Sequence, residues 1–536
     1  MTSNRRTFLT QLGFAGAGLG LVSFAGCQTA RPVLGGRRLP RSTPEAEGVS
    51  SAGILAFLDA VGRNQHELHS FMMVRHGRVV AEGWWAPYRP EFVHTMYSMS
   101  KSFTSTAVGF AVAEGRLRVT DRVVSFFPND RPAQVGEHLA ALRVKDLLTM
   151  SVGQSKEATW AMVKEENWVK AFLAWPIEKP PGSVFQYNSS ATYMLSAIVQ
   201  QLTGEKIIDY LKPRLFEPLG IAGATWETCP RGINTGGWGL SIQTEALAKF
   251  GQLYLQKGAW HGRRIQPAAW VEEATTFKIQ QPVSAKPSRP NEQNDWLQGY
   301  GYQFWRCQHN AFRGDGAFGQ FTIVMPDQDA VIAITGESSN MQGELDLVWE
   351  HLLPAMKGKT LPPDRPAQAR LQQTLSSLAL PMPAGGVSSS GEAIASRVSG
   401  KTFKLEANDL GLQSASFAFQ PGTCILTLRD VHGEYPITCG IGRWQRGETA
   451  LPGTPPRIIS GGAPKRGTPS KIAASGVWRD KDTFELMLRY YETPHHDTVT
   501  CRFDGANVNI TFLSSITGMR TNAKDARPVL LGRMVD

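Results

Sequence analysis

Apolar positions along this 536-residue chain follow two periods and divide it along its length. Over residues 52–63, Ile54, Leu55, Phe57, Leu58 and Val61 recur at helical spacing and predict a helix. The stretch HSFMMVRHGRVVAEGWW, residues 69–85, reads as two strands around a His76-Gly77 turn. From KSFTSTAVGFAVAEG onward the patterns are mainly helical. ALRVKDLLTMSVG, ATYMLSAIVQQLTG and TEALAKFGQLYLQKG each close in a glycine (Gly153, Gly204, Gly258) at an expected helix stop. Strand patterns return in GYGYQFWRC, GQFTIVMP and DAVIAITG. A strand hairpin, a long helical middle and a strand return predict an α+β domain. Its sheet is closed by segments distant in sequence, with a helical lobe inserted.

Residues 357–390 change character: KGKTLPPDRPAQAR, a short helical piece, then LPMPAGGVSSSG, a density of Pro, Gly and Ser that marks a linker. Beyond it, short alternating runs such as SFAFQPGTCILTLRD predict a separate β-rich domain over 391–536, a barrel or a sandwich. The N-terminus stands apart. Arg5-Arg6, then Phe8 and Leu9, and a Gly/Ala-rich run ending in FAGC read as a twin-arginine export signal over residues 1–27, followed by a tether over 28–43. FAGC resembles a bacterial lipobox, which implies lipidation of Cys27 and a membrane anchor; the alternative is an ordinary signal peptide with an incidental cysteine. Either way the expected location is the periplasm or cell envelope.

Composition adjusts this picture modestly. With 42% hydrophobic and 19% charged residues, disorder over most of the chain is excluded. The net charge of +10 is spread over scattered Lys and Arg, with no basic block interleaved with aromatics, so no nucleic-acid partner is expected. After Cys27 five cysteines remain, without CxxC or Cys/His spacing, and no metal is expected. The odd count leaves at least one free thiol; pairing of Cys424 with Cys439 stays open.

Three short elements carry chemistry. Ser98-Met99-Ser100-Lys101 is an S-x-x-K tetrad at the head of a helical run. Residues three apart share a helical face, so Lys101 reaches the Ser98 hydroxyl, and an amide in a helix's first turn is free to hold an oxyanion. Lysine acts as a base only when burial lowers its pKa. Alone, the tetrad reads equally as a helix cap followed by a solvated lysine. Tyr187-Asn188-Ser189 follows a Pro-Gly turn and precedes a helix; it offers a phenol for proton exchange if a nearby cation lowers its pKa, or a buried Tyr beside an N-cap. In FRGDGAFGQFTIVMP, Gly314, Gly316 and Gly319 open a strand and permit close backbone approach to a ligand, with the Ala317 amide as a second oxyanion donor. The competing reading is a glycine-rich hairpin.

In this order and at these separations, the three elements resemble the serine β-lactamase and penicillin-binding-protein superfamily, above all its class C-like branch. LRVKDLLTMSVG, GGWGLSIQTEALAKFGQLYLQKG and GYGYQFW are similar to it as well, and the resemblance spans about residues 44–356. It implies a β-lactamase/transpeptidase-like domain, an antiparallel sheet flanked by helices with a helical lobe. Ser98 matches the acylated serine, Lys101 the motif lysine, Tyr187 the tyrosine of Y-x-N/Y-x-S, and Ser189 its third residue. Gly314, Asp315 and Gly316 fall where the family has K-T-G or H-x-G and contribute to substrate binding. The cation that many relatives use for a substrate carboxylate is missing there; Arg313 lies one residue earlier. The expectation is an exported, monomeric, cofactor-free hydrolase that forms an acyl-enzyme from a small-molecule or peptide-like ester or amide. The alternatives are a β-lactamase or D-alanyl peptidase and, in another class, a non-catalytic envelope protein binding glycan or peptide. Elsewhere, PHHD (residues 494–497) reads as a hairpin turn rather than a metal site, because adjacent residues do not easily face one ion. Trp84, Trp85 and Trp238 read as core.

Overall fold

Strand β1 (Leu68–Arg75) is buried at every position, because its two faces belong to two different cores. Phe71 and Met73 point to one, where they meet Ile54, Phe57 and Val61 of helix α1 (Ser51–Arg63). Met72 and Val74 point to the other, which contains most of the helical lobe. Covering both faces of a strand removes the alternation that a half-exposed strand would show, and β1 is accordingly apolar over consecutive residues. It turns through His76 and Gly77, both at positive φ (50° and 72°), into β2 (Arg78–Trp84), as a two-residue hairpin requires. The computed structural model describes residues 38–385, 389–459, 469–520 and 524–535; Arg5, Arg6 and Cys27 lie outside them. Among the described residues no helix is long and apolar enough to cross a membrane.

The remaining elements used below are helix α2 (Ser100–Ala113), helix α3 (Ser189–Thr203), helix α4 (Thr244–Leu255) and strands β3 (Trp305–Arg306), β4 (Phe312–Gly316), β5 (Gln320–Met325) and β6 (Ala330–Gly336). The six strands form an antiparallel sheet in the order β2-β1-β6-β5-β4-β3. Phe71 pairs with Ile334, so the sheet is closed by segments from opposite ends of the domain, with the helices between them in sequence. Helix α2 runs through the centre and is buried from Ser100 to Ala111. Several of its polar side chains are therefore bonded inside the protein: Ser102 to the Gln303 carbonyl (2.8 Å), Thr104 to the Gly236 carbonyl (2.9 Å) and Thr106 to the Ser102 carbonyl (2.8 Å).

Several local expectations change. Gly204 ends α3 at φ 74°, but the helix before Gly153 stops at Leu148 and α4 stops at Leu255. Met150 (φ 58°) and Lys257 (φ 49°) take up the left-handed turns before the glycines are reached. Of GYGYQFWRC only Trp305 and Arg306 pair as a strand. The preceding residues pack as an irregular buried loop, and Gly301 lies so close to the Ala274 carbonyl that a Cβ would stand 2.1 Å from it. Gly314 lies within β4 and Gly316 ends it, rather than opening a strand, and Gly319 (φ 88°) sits in the turn to β5. Residues 357–385 include helix α5 (Arg365–Ser376), which packs Leu371 into the α1-side core.

The C-terminal domain is a closed barrel. Strands β7 (Thr402–Leu405), β8 (Ser414–Gln420), β9 (Thr423–Asp430), β10 (Gly433–Ile441), β11 (Gln445–Thr449), β12 (Ser470–Trp478), β13 (Thr483–Arg489), β14 (His496–Asp504), β15 (Asn507–Ser514) and β16 (Leu530–Val535) follow the order β10-β9-β8-β7-β16-β15-β14-β13-β12. A short parallel pairing of Gly440 and Ile441 with Ser475 and Gly476 closes the ring, and β11 pairs outside it with β12. Closure removes the edges of the nine ring strands. Alternate residues such as Leu426, Leu428, Val499, Phe503 and Ile510 fill the interior. Cys424 and Cys439 stand opposite each other in the β9–β10 register, and with Cys229, Cys307 and Cys501 they are buried free thiols.

The glycines of β4 decide how closely the sheet approaches the start of α2. A Cβ on Gly316 would lie 2.1 Å from the Met96 carbonyl oxygen, and one on Gly314 would lie 2.5 Å from Met99 Sδ. Gly316→Ala is expected to cost about 1–3 kcal/mol of stability, because backbone rather than a flexible side chain must move. Gly447→Ala, which meets nothing within 4 Å, is expected to stay within about 0.5 kcal/mol of the wild type. Chemical denaturation of the two variants checks this difference.

Candidate active site

Lys101 sits in the first turn of α2 with only 2% of its surface exposed, and its neighbours explain what the burial achieves. Nζ lies 3.0 Å from Ser98 Oγ, 3.1 Å from Ser189 Oγ and 2.7 Å from the Gly237 carbonyl oxygen. All three partners are neutral. Burial lowers the Lys101 pKa to about 7, against the opposing pull of the Glu157 and Asp315 charges. A neutral amine has two protons to donate and one lone pair. Donation to Gly237 and Ser189 leaves the lone pair facing the Ser98 hydroxyl.

Each member is held by a recognisable local device. Ser98 lies in a single 3-10 turn, Tyr97–Met99, that runs into α2, and it is partly exposed to the cleft. Ser100 takes no part in the pair: its hydroxyl donates to the Tyr97 carbonyl (2.6 Å) and accepts from the Leu240 amide (3.1 Å), fixing the turn. Asn188 is the N-cap of α3, accepting from the Ala191 amide (2.9 Å), and its own amide group donates to Gln154 (2.7 Å). The cap aims Tyr187 and Ser189 toward Lys101. The Ser189 amide is held by the Glu157 carboxylate at 2.8 Å.

Tyr187 stacks on Trp305 with centroids 5.6 Å apart, and its ring lies 4.8 Å from Lys101 Nζ. Burial, reinforced by the Asp315 charge, pushes its phenol up, with the Ser98 hydrogen bond opposing. The condition under which the phenol would exchange protons freely, a nearby cation that lowers it, is not met: burial outweighs the opposing contributions and Tyr187 holds its proton. Arg313, one residue before the position where the cation is missing, does not replace it. Arg313 is fully buried, donating from Nη1 to the Asp295 carbonyl (2.8 Å) and from Nε to Asp315 (3.0 Å). It presents no charge to the cleft. Gly314 and Gly316 make their close approach to the protein's own Met99 and Met96, and the turn between β4 and β5 brings Ala317 and Phe318 to the cleft edge, where both are partly exposed.

Sequence reasoning named Ser98, Lys101, Tyr187 and Ser189, and the fold brings these four together. It missed Gly237, Glu157 and Trp305. Gly237 and Trp305 lie in GGWG and GYGYQFW, which resemble the family without pointing to a role, Glu157 lies in no motif, and the backbone carbonyl of Gly237 has no residue-type signal to find. It also missed the histidines of PHHD. His495 Nδ1 and His496 Nδ1 lie 2.6 Å and 3.0 Å from the two oxygens of Glu337, so adjacent residues converge on one carboxylate across the domain boundary. Glu67, Glu337 and His496 form the one group of potential metal ligands among the described residues. Glu67 there is already paired with the buried Arg489 at 2.6 Å.

A serine hydroxyl on a helix start, facing a buried lysine that is close to neutral, defines the arrangement of a serine hydrolase with a lysine base. The chain belongs to the Beta-lactamase family, whose profile matches residues 69–346. Among its relatives, the 6-aminohexanoate-dimer hydrolase of Paenarthrobacter ureafaciens is 24% identical over 283 residues, covering 49% of this chain and 71% of that protein. Penicillin-binding protein 4 of Amycolatopsis lactamdurans is 23% identical over 350 residues, covering 59% and 87%. The crystal structure of a penicillin-binding protein homologue from Caulobacter crescentus is similar with a TM-score of 0.46 at 16% identity, covering 56% of this chain and 97% of that one.

The depressed Lys101 pKa has a direct kinetic consequence. A base must be deprotonated to act, so acylation of Ser98 is expected to be half-maximal near pH 7 and to fall about tenfold per pH unit below it. With Tyr187 raised rather than lowered, no alkaline limb is expected below about pH 10. The pH profile of Ser98 labelling by a fluorophosphonate measures both limbs.

Proposed function

We propose that this protein hydrolyses a neutral ester or amide through an acyl-enzyme on Ser98, with Lys101 as base. The observation that carries this reading is the 3.0 Å contact of Lys101 Nζ with Ser98 Oγ, made by a lysine whose partners are all neutral. Ser98 Oγ attacks the carbonyl carbon as its proton passes to Lys101. The oxyanion is held by the amides of Ser98 and Ala317. As the C–O or C–N bond breaks, the leaving group receives the proton from Lys101, with the neutral Tyr187 phenol donating a hydrogen bond in the same path. A water then attacks the acyl group, giving its proton to Lys101, and Ser98 Oγ recovers a proton as the product acid leaves. Ser189 holds Lys101 in place, and the strand that carries Gly314, Asp315 and Gly316 forms the opposite wall of the cleft.

The substrate class follows from what the wall offers. Asp315 stands where a carboxylate-binding cation is expected, and it is tied to a guanidinium that is itself fully buried. That arrangement supports a substrate without a required carboxylate and disfavours β-lactams and D-alanyl peptides. The likeness to a 6-aminohexanoate-dimer hydrolase is consistent with an amide as the scissile bond. The twin-arginine segment supports export to the periplasm or envelope, and FAGC supports a lipid anchor on Cys27.

Ser98→Ala is expected to abolish turnover of short-chain p-nitrophenyl esters and all covalent labelling, while leaving the unfolding transition within about 0.5 kcal/mol of the wild type. In the wild type, kcat/KM for such esters is expected to exceed that for a chromogenic cephalosporin by at least about a hundredfold. The reverse order would identify a β-lactamase, and an unlabelled wild-type Ser98 would identify a binding protein.

A further inference from the structure

The barrel reaches the serine through one histidine. His495 lies just before β14 and is completely buried between the two domains. Glu337, which follows β6 in the catalytic domain, receives His495 Nδ1–H at 2.6 Å, the Ser515 hydroxyl at 2.5 Å and His496 Nδ1–H at 3.0 Å. Burial pushes the Glu337 carboxyl up, but the two histidine bonds outweigh it and hold the group below its usual range. A carboxylate surrounded by three donors assigns the His495 tautomer: Nδ1 carries the proton and Nε2 is left as an acceptor. Tyr97 Oη lies within hydrogen-bond distance of that Nε2, so in this tautomer the hydroxyl is the donor.

Tyr97 immediately precedes Ser98. On the other side of the cleft, Phe318 immediately follows Ala317, and its ring meets the same histidine edge-on, with centroids 5.0 Å apart at 89°. The Phe318 and Tyr97 rings also touch, at 5.8 Å and 65°. Both residues hold left-handed backbone conformations, φ 45° for Tyr97 and φ 69° for Phe318. Bulky side chains rarely adopt that region unless their surroundings enforce it. Here each ring is fixed by His495. Tyr97 thus bounds the peptide plane that carries the Ser98 amide, and Phe318 fixes the turn directly after Ala317, so the segments that hold the two donors share a common anchor.

We propose that His495 is a positioning residue supplied by the barrel domain, which holds the oxyanion hole in register by accepting the Tyr97 hydroxyl and bracing the Phe318 ring. The proposal rests on the assignment of the Ser98 and Ala317 amides as oxyanion donors. It gives residues 391–536 a task in the reaction: the catalytic domain contains the reacting groups, and the barrel fixes the geometry in which they meet the developing charge. Glu337 acts one step further back, by fixing the tautomer of His495.

The test uses the full chain and an alkyl fluorophosphonate, whose reaction at Ser98 places a phosphoryl oxygen in the oxyanion hole. Tyr97→Phe removes a single oxygen. His495→Asn keeps a donor near Glu337 and loses the acceptor for Tyr97. Each variant is expected to retain a cooperative thermal transition and to label at least about tenfold more slowly than the wild type. The double variant is expected to be no slower than the slower single variant, because both break one link. With p-nitrophenyl esters, kcat is expected to fall while KM stays within about threefold. Folded variants that label at the wild-type rate overturn the proposal, as does a rise in KM with kcat unchanged. If His495→Asn does not fold, Tyr97→Phe alone decides. Labelling that persists in Ser98→Ala sinks the assignment of the nucleophile itself. Loss of labelling there, with wild-type rates in Tyr97→Phe and His495→Asn, sinks only the role of His495.

Discussion

A lysine side chain enclosed by neutral partners is the constraint on which the rest of this site depends. An amine in water near pH 7 is charged and useless as a base. Lys101 escapes that state because α2 runs through the centre of the domain, and its first turn is covered by α3, by the Gly237 loop and by β4. The polar groups that touch it are two hydroxyls and a carbonyl, which satisfy its hydrogen bonds without supplying the negative charge that would keep it protonated. Glu157 and Asp315 are near enough to pull the other way, yet Glu157 is engaged with the Ser189 amide and Asp315 with Arg313. Burial wins because both carboxylates are directed at other donors.

Close approach is what permits that burial. Gly314 and Gly316 let the β4 backbone come against Met99 and Met96, which flank Ser98 in sequence, and Ala317 follows Gly316 directly. The glycine-rich segment is thus a packing device first. Its proposed part in catalysis follows from where the packing leaves the next amide. The interdomain network extends the same logic outward. Arg489 with Glu67, and His495 and His496 with Glu337, are charged or polar groups buried at the boundary, and each is matched by a partner from the other domain. Pairs of this kind stabilise little by themselves, but leaving one member unpaired is costly. They therefore define one seating of the barrel on the catalytic domain.

Much of this was legible in the amino-acid sequence, and the parts that were not share a cause. The strand hairpin at His76-Gly77, helices α1 and α3, and the alternating barrel strands follow from periodicity and turn chemistry, which are local. Ser98 and Lys101 were legible because three-residue spacing on a helix fixes their proximity, and Tyr187 because a turn, an N-cap and a family-like motif coincide. The helix stops at Leu148 and Leu255 were not, since Met150 and Lys257, which are not glycines, take left-handed turns just beyond them. The state of the Tyr187 phenol depends on what surrounds it, and no pattern within the motif records that. His495 was read as part of a turn. Its partners Tyr97 and Glu337 lie 398 and 158 residues away, and only the seating of the barrel brings them together.

The central claim, that Lys101 is close to neutral at physiological pH because it is buried against Ser98, is open to direct measurement. In protein labelled with carbon-13 at the lysine Cε position, the NMR titration is expected to show one resonance with a midpoint near pH 7 that disappears in Lys101→Arg. Lysine resonances that all titrate above about pH 9.5, at the ordinary amine range, would contradict the account.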